Sequence, residues 1–210
     1  MPPPDASDGP STLGDPAPAP ARRRTRRQLD LLDRLVDLLV AEGFLHLTLD
    51  EVSARLHCSK TTLYALADSK ADLAVQVVRR YVEVSAEAVE ARVAEVTGPR
   101  ERVATYLAAT SGRLRPLSGA FLDDVTGFRP TAEVYRSSTA AAADRLRELI
   151  AEGVASGAFR PVHAAFAAEM ATATMFAVPR GDLTRRLGLS DTEAYAELGS
   201  LLLHALASDT

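Results

Sequence analysis

The chain has 210 residues, of which 47% are hydrophobic, 25% charged and 5% aromatic, and it contains no tryptophan. This length holds one or two domains, and the composition is that of an ordinary globular protein. The single cysteine, Cys58, excludes an internal disulfide and a metal site built from several thiolates, which is compatible with a reducing cytoplasm. The longest apolar stretch, 162–178, is interrupted by His163 and Glu169, so we expect no membrane span and a cytoplasmic protein.

The net charge of −4 argues at first against a nucleic-acid partner, but the two signs are segregated along the chain. Residues 21–80 hold 11 basic and 8 acidic side chains, a net charge of +3, whereas residues 81–210 hold 13 and 17, a net charge of −4. The basic residues are densest at Arg22, Arg23, Arg24, Arg26 and Arg27. Positive potential is therefore concentrated ahead of residue 81.

Residues 1–21 are predicted to be a disordered, proline-rich tail, because they have too few apolar side chains to offset the entropy of ordering. A helical period of leucines then begins near Arg24 and ends at Glu42 and Gly43. The first ordered element is thus an amphipathic helix.

Polar capping signals open the next helices. Thr48 followed by Glu51 has capping-box spacing, which predicts a helix to about residue 56. Ser59 is a suitable N-cap for a short helix to about residue 66, and Ser69 with Asp72 opens a longer one that ends near 98. Further helices are predicted at 100–115, 119–128, 131–156, 162–178 and 190–207, the last opened by a capping box of Ser190 and Glu193. The chain is therefore predicted to be all-α, with about nine helices.

Two short helices joined by a tight turn predict a helix-turn-helix within residues 48–66. Ser53 is a small residue in the middle of the first helix, and His57 stands where the turn requires a positive φ, which His tolerates less readily than Gly. The second helix carries hydroxyls and an ammonium near its N-terminus, where unpaired N–H groups favour phosphate. These residues are Ser59, Lys60, Thr61, Thr62 and Tyr64.

The run at 49–64, LDEVSARLHCSKTTLY, followed by SKADL at 69–73, resembles the N-terminal signature of the TetR family of transcription regulators. The resemblance covers about residues 24–80. It implies a helix-turn-helix DNA-binding domain at 22–68 and a larger helical ligand-binding and dimerisation domain at 69–210. The DNA-contacting residues that it implies are Thr48, Ser59, Lys60, Thr61, Thr62, Tyr64 and Lys70. We add Arg22, Arg23 and Arg24, because a basic arm ahead of such a domain can follow the phosphate backbone or enter the minor groove.

The residues after Tyr64 depart from the family pattern, which has a Phe and often a Pro at this point. This chain instead has Ala65, Leu66, Ala67 and Asp68. We expect Ala67 to leave a gap in the core and Asp68 to place a negative charge near the DNA phosphates. An alternative is therefore a helical interaction protein of the same fold that has lost specific DNA binding.

The second half offers candidates for an effector pocket and for a dimer interface. Mostly apolar side chains with a few hydroxyls suit a small-molecule site, although core packing explains the same set. The pocket candidates are Tyr106, Phe121, Phe128, Tyr135, Phe166, Met170 and Thr174. Apolar stripes with small residues on the last two predicted helices suit a four-helix dimer interface, although an intramolecular core would use the same stripes. The interface candidates are Phe166, Ala173, Leu198, Leu201 and Leu202.

Together these features predict a ligand-responsive repressor that binds a pseudo-palindromic, double-stranded DNA operator as a homodimer and is controlled by a small-molecule effector. His46, His163 and His204 are widely separated and lack metal-ligand spacing. No pair of carboxylates or nucleophile and base points to catalysis. We therefore expect neither an enzyme nor a bound metal or cofactor.

Overall fold

The computed structural model describes residues 24–208, and within this range the chain consists of helices without any β-strand. The predicted all-α fold is therefore confirmed. The α-helices are α1 (Arg26–Glu42), α2 (Leu49–Arg55), α3 (Lys60–Tyr64), α4 (Lys70–Ala94), α5 (Pro99–Leu114), α6 (Gly119–Gly127), α7 (Arg129–Ala155), α8 (Ala164–Ala177), α9 (Asp182–Leu187) and α10 (Asp191–Leu206). None of them is long and apolar enough to cross a membrane. The predicted tail at 1–21, with Arg22 and Arg23, lies outside the described residues.

Local polar motifs begin several of these helices. At α2 the Glu51 N–H donates to Thr48 Oγ1 at 3.2 Å, and the Thr48 N–H donates to Glu51 Oε2 at 2.7 Å. Ser190 and Glu193 make the same reciprocal pair of bonds at the start of α10. Both predicted capping boxes are thus confirmed, and each satisfies two N–H groups that a helix start leaves unpaired.

The sequence prediction of about nine helices missed α9. This six-residue helix lies between Gly181 and Gly188, whose φ angles are 75° and 68°. It has no side-chain hydrogen bond at its N-cap. A segment this short carries too few apolar repeats to show a helical period, and its two glycines indicate a loop.

The helices pack around one continuous core. Helix α1 packs against α4 and α6, α4 packs against α5 and α7, and α10 packs against α5 and α8. A single cluster of buried side chains extends from Leu32 in α1 through Val77 in α4 to Leu206 in α10. Burying one Leu or Val side chain stabilises a fold by roughly 1.5–3 kcal/mol. Because α1 buries several such side chains and packs against α4 and α6, it anchors the first three helices to the rest of the chain. The division at residues 22–68 and 69–210 stays a prediction.

Candidate nucleic-acid interface and cavity

Helices α2 and α3 are held as a helix-turn-helix by contacts within the turn. His57 has a φ of 50°, the left-handed conformation that its place in the sequence predicted. The Cys58 N–H donates to the Ser53 carbonyl at 3.0 Å. Arg34 of α1 donates from Nη2 to the Leu56 carbonyl at 2.6 Å. The turn is therefore fixed both internally and to α1.

Helix α3 brings five of the predicted DNA-contacting residues together. Ser59 is its N-cap, and the Ser59 Oγ accepts from the Thr62 N–H at 3.2 Å and lies 2.8 Å from the Thr62 hydroxyl. Lys60 and Thr61 are exposed, and the Tyr64 side chain is 49% exposed. This outer edge presents hydroxyls, an ammonium and a phenol to solvent.

Two lysines at this surface already have partners within the chain. Lys60 Nζ lies 2.7 Å from Asp50 Oδ1 of α2, in an ion pair whose side chains are largely exposed. Lys70 Nζ donates to the Leu45 carbonyl at 2.8 Å. An exposed ion pair contributes only about 0–1 kcal/mol, so a phosphate can compete with Asp50 for Lys60.

Thr48 and Arg24, two other predicted DNA contacts, both precede this edge in the chain. Thr48 is exposed and caps α2, and its backbone N–H is the main cause that lowers the pKa of Glu51. Arg24 donates from Nη2 to Gln76 Oε1 of α4 at 2.7 Å. Both residues therefore serve local structure, whatever they contact in a complex.

The segment after Tyr64 packs without the Phe that the family pattern has. Leu66 is buried, and Ala67 is half-buried against the core. Asp68 is exposed, and Gln28 of α1 donates to the Ala65 carbonyl at 3.2 Å. Leu66 therefore supplies the buried apolar side chain at this point, and Asp68 adds a negative charge beside α3.

A cavity of about 200 Å³ lies among α4, α5, α6, α7 and α8. Tyr106, Phe121 and Tyr135 line it, as the sequence predicted. Sequence reasoning missed the contribution of α4, which includes Val78, Tyr81, Ser85 and Val89. Their spacing of three and four residues along one helix is the signal that could have placed them on a shared face.

Four other predicted pocket residues lie elsewhere. Phe128 packs edge-on against Phe44, with ring centroids 6.4 Å apart. Phe166 and Met170 are exposed at 69% and 48%, and Thr174 Oγ1 donates back to the Met170 carbonyl at 3.0 Å. Helix α8 buries its other face, which carries Ala168, Ala171 and Met175, within the chain. The three predicted side chains on its outer face therefore cannot reach the cavity.

Two tyrosine hydroxyls at the cavity are satisfied by backbone. Tyr106 donates to the Ala142 carbonyl at 2.9 Å, and burial, followed by the charge of Glu90, raises its pKa to about 12. Tyr81 donates to the Arg113 carbonyl. These bonds tie α5 to α7 and α4 to α5 across the cavity wall.

Two other hydroxyls of the wall have no such partner. Tyr135 Oη and Thr110 Oγ1 are buried without a well-formed hydrogen bond to a group in the described part of the chain, and the Thr110 hydroxyl lies near that of Tyr106. Burial raises the pKa of Tyr135, which keeps its phenol protonated and able to donate. Since buried polar groups are normally hydrogen-bonded, both hydroxyls are available to a molecule in the cavity.

Helices α8 and α10 also present an apolar outer surface. Phe166, Met170 and Ala173 are exposed along α8, and Leu201 of α10 is 61% exposed. Leu198, also predicted at the interface, is half-buried. Leu202 is only 3% exposed and belongs to the chain's own core, so its assignment to an interface is wrong. Leu202 directly follows the exposed Leu201, so the rotation of the helix turns it to the inner face of α10.

Helix α6 contacts both the cavity and the loop that precedes α2. Asp124 Oδ2 accepts from the backbone N–H groups of Phe44 and Leu45 at 2.5 and 2.8 Å. A Cβ at Gly43, where φ is 86°, would lie 2.7 Å from the same oxygen. Three residues earlier on α6, Phe121 lines the cavity. One short helix therefore joins the two candidate sites.

Known proteins resemble this chain in their three-dimensional structure. No protein-family model and no curated protein sequence matches the chain. Solved structures do match it closely in shape. A TetR-family transcriptional regulator from Agrobacterium tumefaciens superposes with a TM-score of 0.70 at 15% identity, covering 87% of this chain and 98% of that one. The chain has the TetR fold.

Two further solved structures that superpose on this chain carry ligands. A transcriptional regulator from Saccharomonospora viridis in complex with choline gives a TM-score of 0.72 at 19% identity, over 88% of this chain and 100% of its own. AibR, in complex with isovaleryl coenzyme A and operator DNA, gives a TM-score of 0.63 at 17% identity, over 85% and 98%. At these identities the likeness establishes the fold.

Two histidines of this TetR-fold chain, His163 and His204, make local hydrogen bonds. His163 Nδ1 accepts from the Phe166 N–H at 3.2 Å at the start of α8, and His204 Nδ1 lies 2.8 Å from the Ser200 carbonyl. Among residues 24–208, no three His, Cys, Asp or Glu side chains are grouped so that they could hold a metal ion.

Proposed function

We propose that this chain is a TetR-family transcription regulator in the cytoplasm that binds a pseudo-palindromic operator as a homodimer and is released by a small-molecule effector. The observation that carries the proposal is the outer edge of α3, because its exposed polar residues stand on a helix-turn-helix within the TetR fold. Repression follows as the default outcome, since a protein that occupies an operator blocks access to it.

The proposed contacts divide into phosphate and base contacts. Ser59 and Lys60, at the N-terminus of α3, suit phosphate oxygens. Thr61 and Tyr64 reach outward with side chains that can contact base edges in the major groove. Thr62, Thr48 and Lys70 support this edge through their own hydrogen bonds. Arg22, Arg23 and Arg24 complete the proposal as a basic arm.

The proposed homodimer uses the outer surface of α8 and α10. Exposed Phe166, Met170 and Leu201 form an apolar surface of the kind that soluble proteins cover with a partner. A two-fold axis through this surface would present two copies of α3, and recognition helices of such dimers bind half-sites about 34 Å apart on DNA.

The proposed effector site is the cavity, and α6 is the proposed connection to DNA. A molecule against Phe121 would displace α6, and Asp124 would carry that displacement to Phe44 and Leu45 ahead of α2. Because operator affinity depends on both half-sites at once, a small shift between the two copies of α3 would weaken binding. Neighbours in complex with choline or with an acyl coenzyme A and operator DNA support a ligand-dependent role.

The first test is selection of bound fragments from a genomic duplex pool by the purified full chain near physiological salt. We expect an enriched inverted repeat. On that repeat, Tyr64→Ala should reduce affinity by about 10- to 100-fold and relax sequence preference, whereas Lys60→Ala should weaken binding to all sequences. Arg92→Ala is the matched control, because Arg92 is an exposed cation paired with Glu95 on α4. Unchanged binding by both α3 variants would contradict the proposal.

A second candidate is a helical interaction protein that has lost specific DNA binding. Three observations favour it, namely the Asp50 carboxylate on Lys60, the Lys70 bond to a backbone carbonyl and the exposed Asp68 beside α3. This candidate predicts no enriched repeat and no sequence-specific complex, and any residual DNA binding is nonspecific and weakens as salt rises from low to physiological concentration.

A further inference from the structure

The charged groups that line the cavity do not balance one another. They are Glu90 of α4, Arg113 of α5 and Arg145 of α7, and the rest of the wall is uncharged. Glu90 is fully engaged, because Arg145 donates from Nε and Nη2 to its two carboxylate oxygens at 2.9 and 3.0 Å. Arg145 also donates to Glu148 at 3.1 Å. The remaining charge at the cavity is the guanidinium of Arg113.

Arg113 has no acidic partner within the described part of the chain. Its Nε donates to the Ser85 hydroxyl at 3.1 Å, and its guanidinium carbon lies 5.4 Å from the centre of the Tyr81 ring. No Asp or Glu oxygen among residues 24–208 lies within ion-pair distance of it, and its two Nη groups have no protein acceptor there. A partly buried guanidinium held on one edge in this way favours an oxygen anion on its other edge.

The neighbouring wall supplies hydroxyl donors for the same kind of ligand. Thr110 lies one helical turn before Arg113 on α5, and its hydroxyl is buried without a partner. Tyr135 faces the cavity from α7 with a second unpartnered hydroxyl. A ligand with oxygen atoms would satisfy groups that the chain leaves unpaired.

The remaining wall sets the size and polarity of the rest of the ligand. It is formed mainly by aliphatic and aromatic side chains, among them Val78, Val89, Leu114 and Phe176. The volume of about 200 Å³ is somewhat larger than the ~150 Å³ apolar cavity that accommodates benzene. An apolar body of about one ring, or a short branched chain, fits this space.

We propose that the effector is a small apolar monocarboxylic acid whose carboxylate pairs with Arg113. The proposal deepens the proposed function, since it names the chemical class that the effector cavity takes. The Thr110 and Tyr135 hydroxyls donate to oxygen atoms of the same ligand, and the aliphatic wall covers its apolar body.

The test compares matched acids and amides by titration calorimetry on the full chain at pH 7, without DNA. The probes are benzoate, phenylacetate and hexanoate with their primary amides, and choline as a cation. We expect at least one acid to bind at least about 10-fold more tightly than its amide, because a charge-assisted hydrogen bond replaces a neutral one. Choline should not bind, since the one carboxylate of the wall, that of Glu90, is occupied by Arg145.

Arg113→Gln should weaken the acid by about 10- to 100-fold and leave the amide within about 2-fold. Arg92→Gln, which removes an exposed cation that does not line the cavity, should change neither. Amides that bind as tightly as the acids, an acid preference that survives Arg113→Gln, or no acid binding at about 1 mM would each overturn the proposal. The acid and amide comparison needs no variant, so it stands even if Arg113→Gln fails to fold.

The operator measurements separate this proposal from the proposed function. If the chain selects an inverted repeat but binds no acid, the regulator stands and the carboxylate assignment fails. If an acid binds through Arg113 but no repeat is enriched, the ligand class stands and the DNA-binding role fails.

Discussion

The α2–α3 surface and the cavity satisfy their polar groups in opposite ways. At α2 and α3, Thr48, Ser59 and Lys60 bond to residues close in the chain or on the adjoining helix, and they do so at the solvent boundary. At the cavity, Tyr106 and Tyr81 donate to backbone carbonyls, but Tyr135 and Thr110 are buried without a well-formed hydrogen bond. A surface that is complete by itself suits recognition of a rigid, hydrated duplex, whereas an incomplete buried wall suits a ligand that completes it.

Side chains should be packed more tightly beneath α3 than around the cavity, and this difference gives the largest predicted effect. Leu63 of α3 is 1% exposed within the core, whereas Leu114 of α5 is 5% exposed but lines the cavity. We expect Leu63→Ala to lower the free energy of unfolding by about 3–5 kcal/mol and Leu114→Ala by about 2–3 kcal/mol, because Leu114 already has fewer packing partners on its cavity side. Urea unfolding followed by circular dichroism measures both.

Thr61→Ala is the surface control for these two variants, with an expected change within about 0.5 kcal/mol. Equal losses for Leu63→Ala and Leu114→Ala would show that the cavity wall is as tightly packed as the core beneath α3.

The buried tyrosines of the cavity region predict a loss of stability at alkaline pH. Burial raises the pKa of Tyr106 to about 12, so the folded chain keeps this phenol protonated while the unfolded chain ionises it near its ordinary value of about 10. The corresponding stabilisation is complete below pH ~10 and is lost as pH rises to ~12, by about 2–3 kcal/mol. Urea unfolding at steps from pH 8 to 12 should show the decline.

Tyr106→Phe should flatten that decline relative to the unsubstituted chain. At pH 8 the phenol is protonated in both the folded and the unfolded chain. The stability of Tyr106→Phe at this pH therefore measures the lost hydrogen bond to the Ala142 carbonyl separately from the pH dependence. An unchanged slope in the variant would show that other groups, and not Tyr106, govern the alkaline transition.

The contact between the two regions predicts a smaller effect. Asp124→Ala removes the acceptor of the Phe44 and Leu45 N–H groups, and Asp123→Ala removes a neighbouring exposed carboxylate whose side chain makes no hydrogen bond among the described residues. We expect a loss of about 1–2 kcal/mol for Asp124→Ala and about 0–0.5 kcal/mol for the control. Asp124→Ala should also reduce the effect of a bound ligand on operator affinity. Full coupling in this variant would exclude α6 as the connection.

The helix-turn-helix could be predicted because its signals are local. Thr48 with Glu51, His57 and Ser59 lie within 12 consecutive residues, and each acts on backbone no more than four residues away. Its detailed partners were less visible. The pairing of Lys60 with Asp50 depends on how α2 and α3 cross, which spacing along the chain does not specify.

The cavity could be predicted only in part, because five helices contribute to it. Tyr106, Phe121 and Tyr135 were identified from their polarity and size, but the face of α8 was not. Apart from Glu169, helix α8 is mostly apolar and alanine-rich on all sides, so no stripe distinguishes Phe166, which is exposed, from Phe176, which lines the cavity. The unpaired state of Arg113 is likewise a tertiary property.

The smallest predicted effect concerns the ion pair at the edge of α3. Asp50→Asn removes the carboxylate that holds Lys60, and we expect it to raise operator affinity by about 3- to 10-fold and to steepen the salt dependence by about one phosphate contact. Asp37→Asn is the matched control, because Asp37 is exposed on α1, has the same charge and has no side-chain partner among the described residues. Fluorescence anisotropy on the selected repeat at several salt concentrations measures all variants. If Asp37→Asn gives the same gain, the effect is general electrostatics; if the gain is specific to Asp50 and disappears when Lys60→Ala is added, Lys60 exchanges Asp50 for a phosphate on binding.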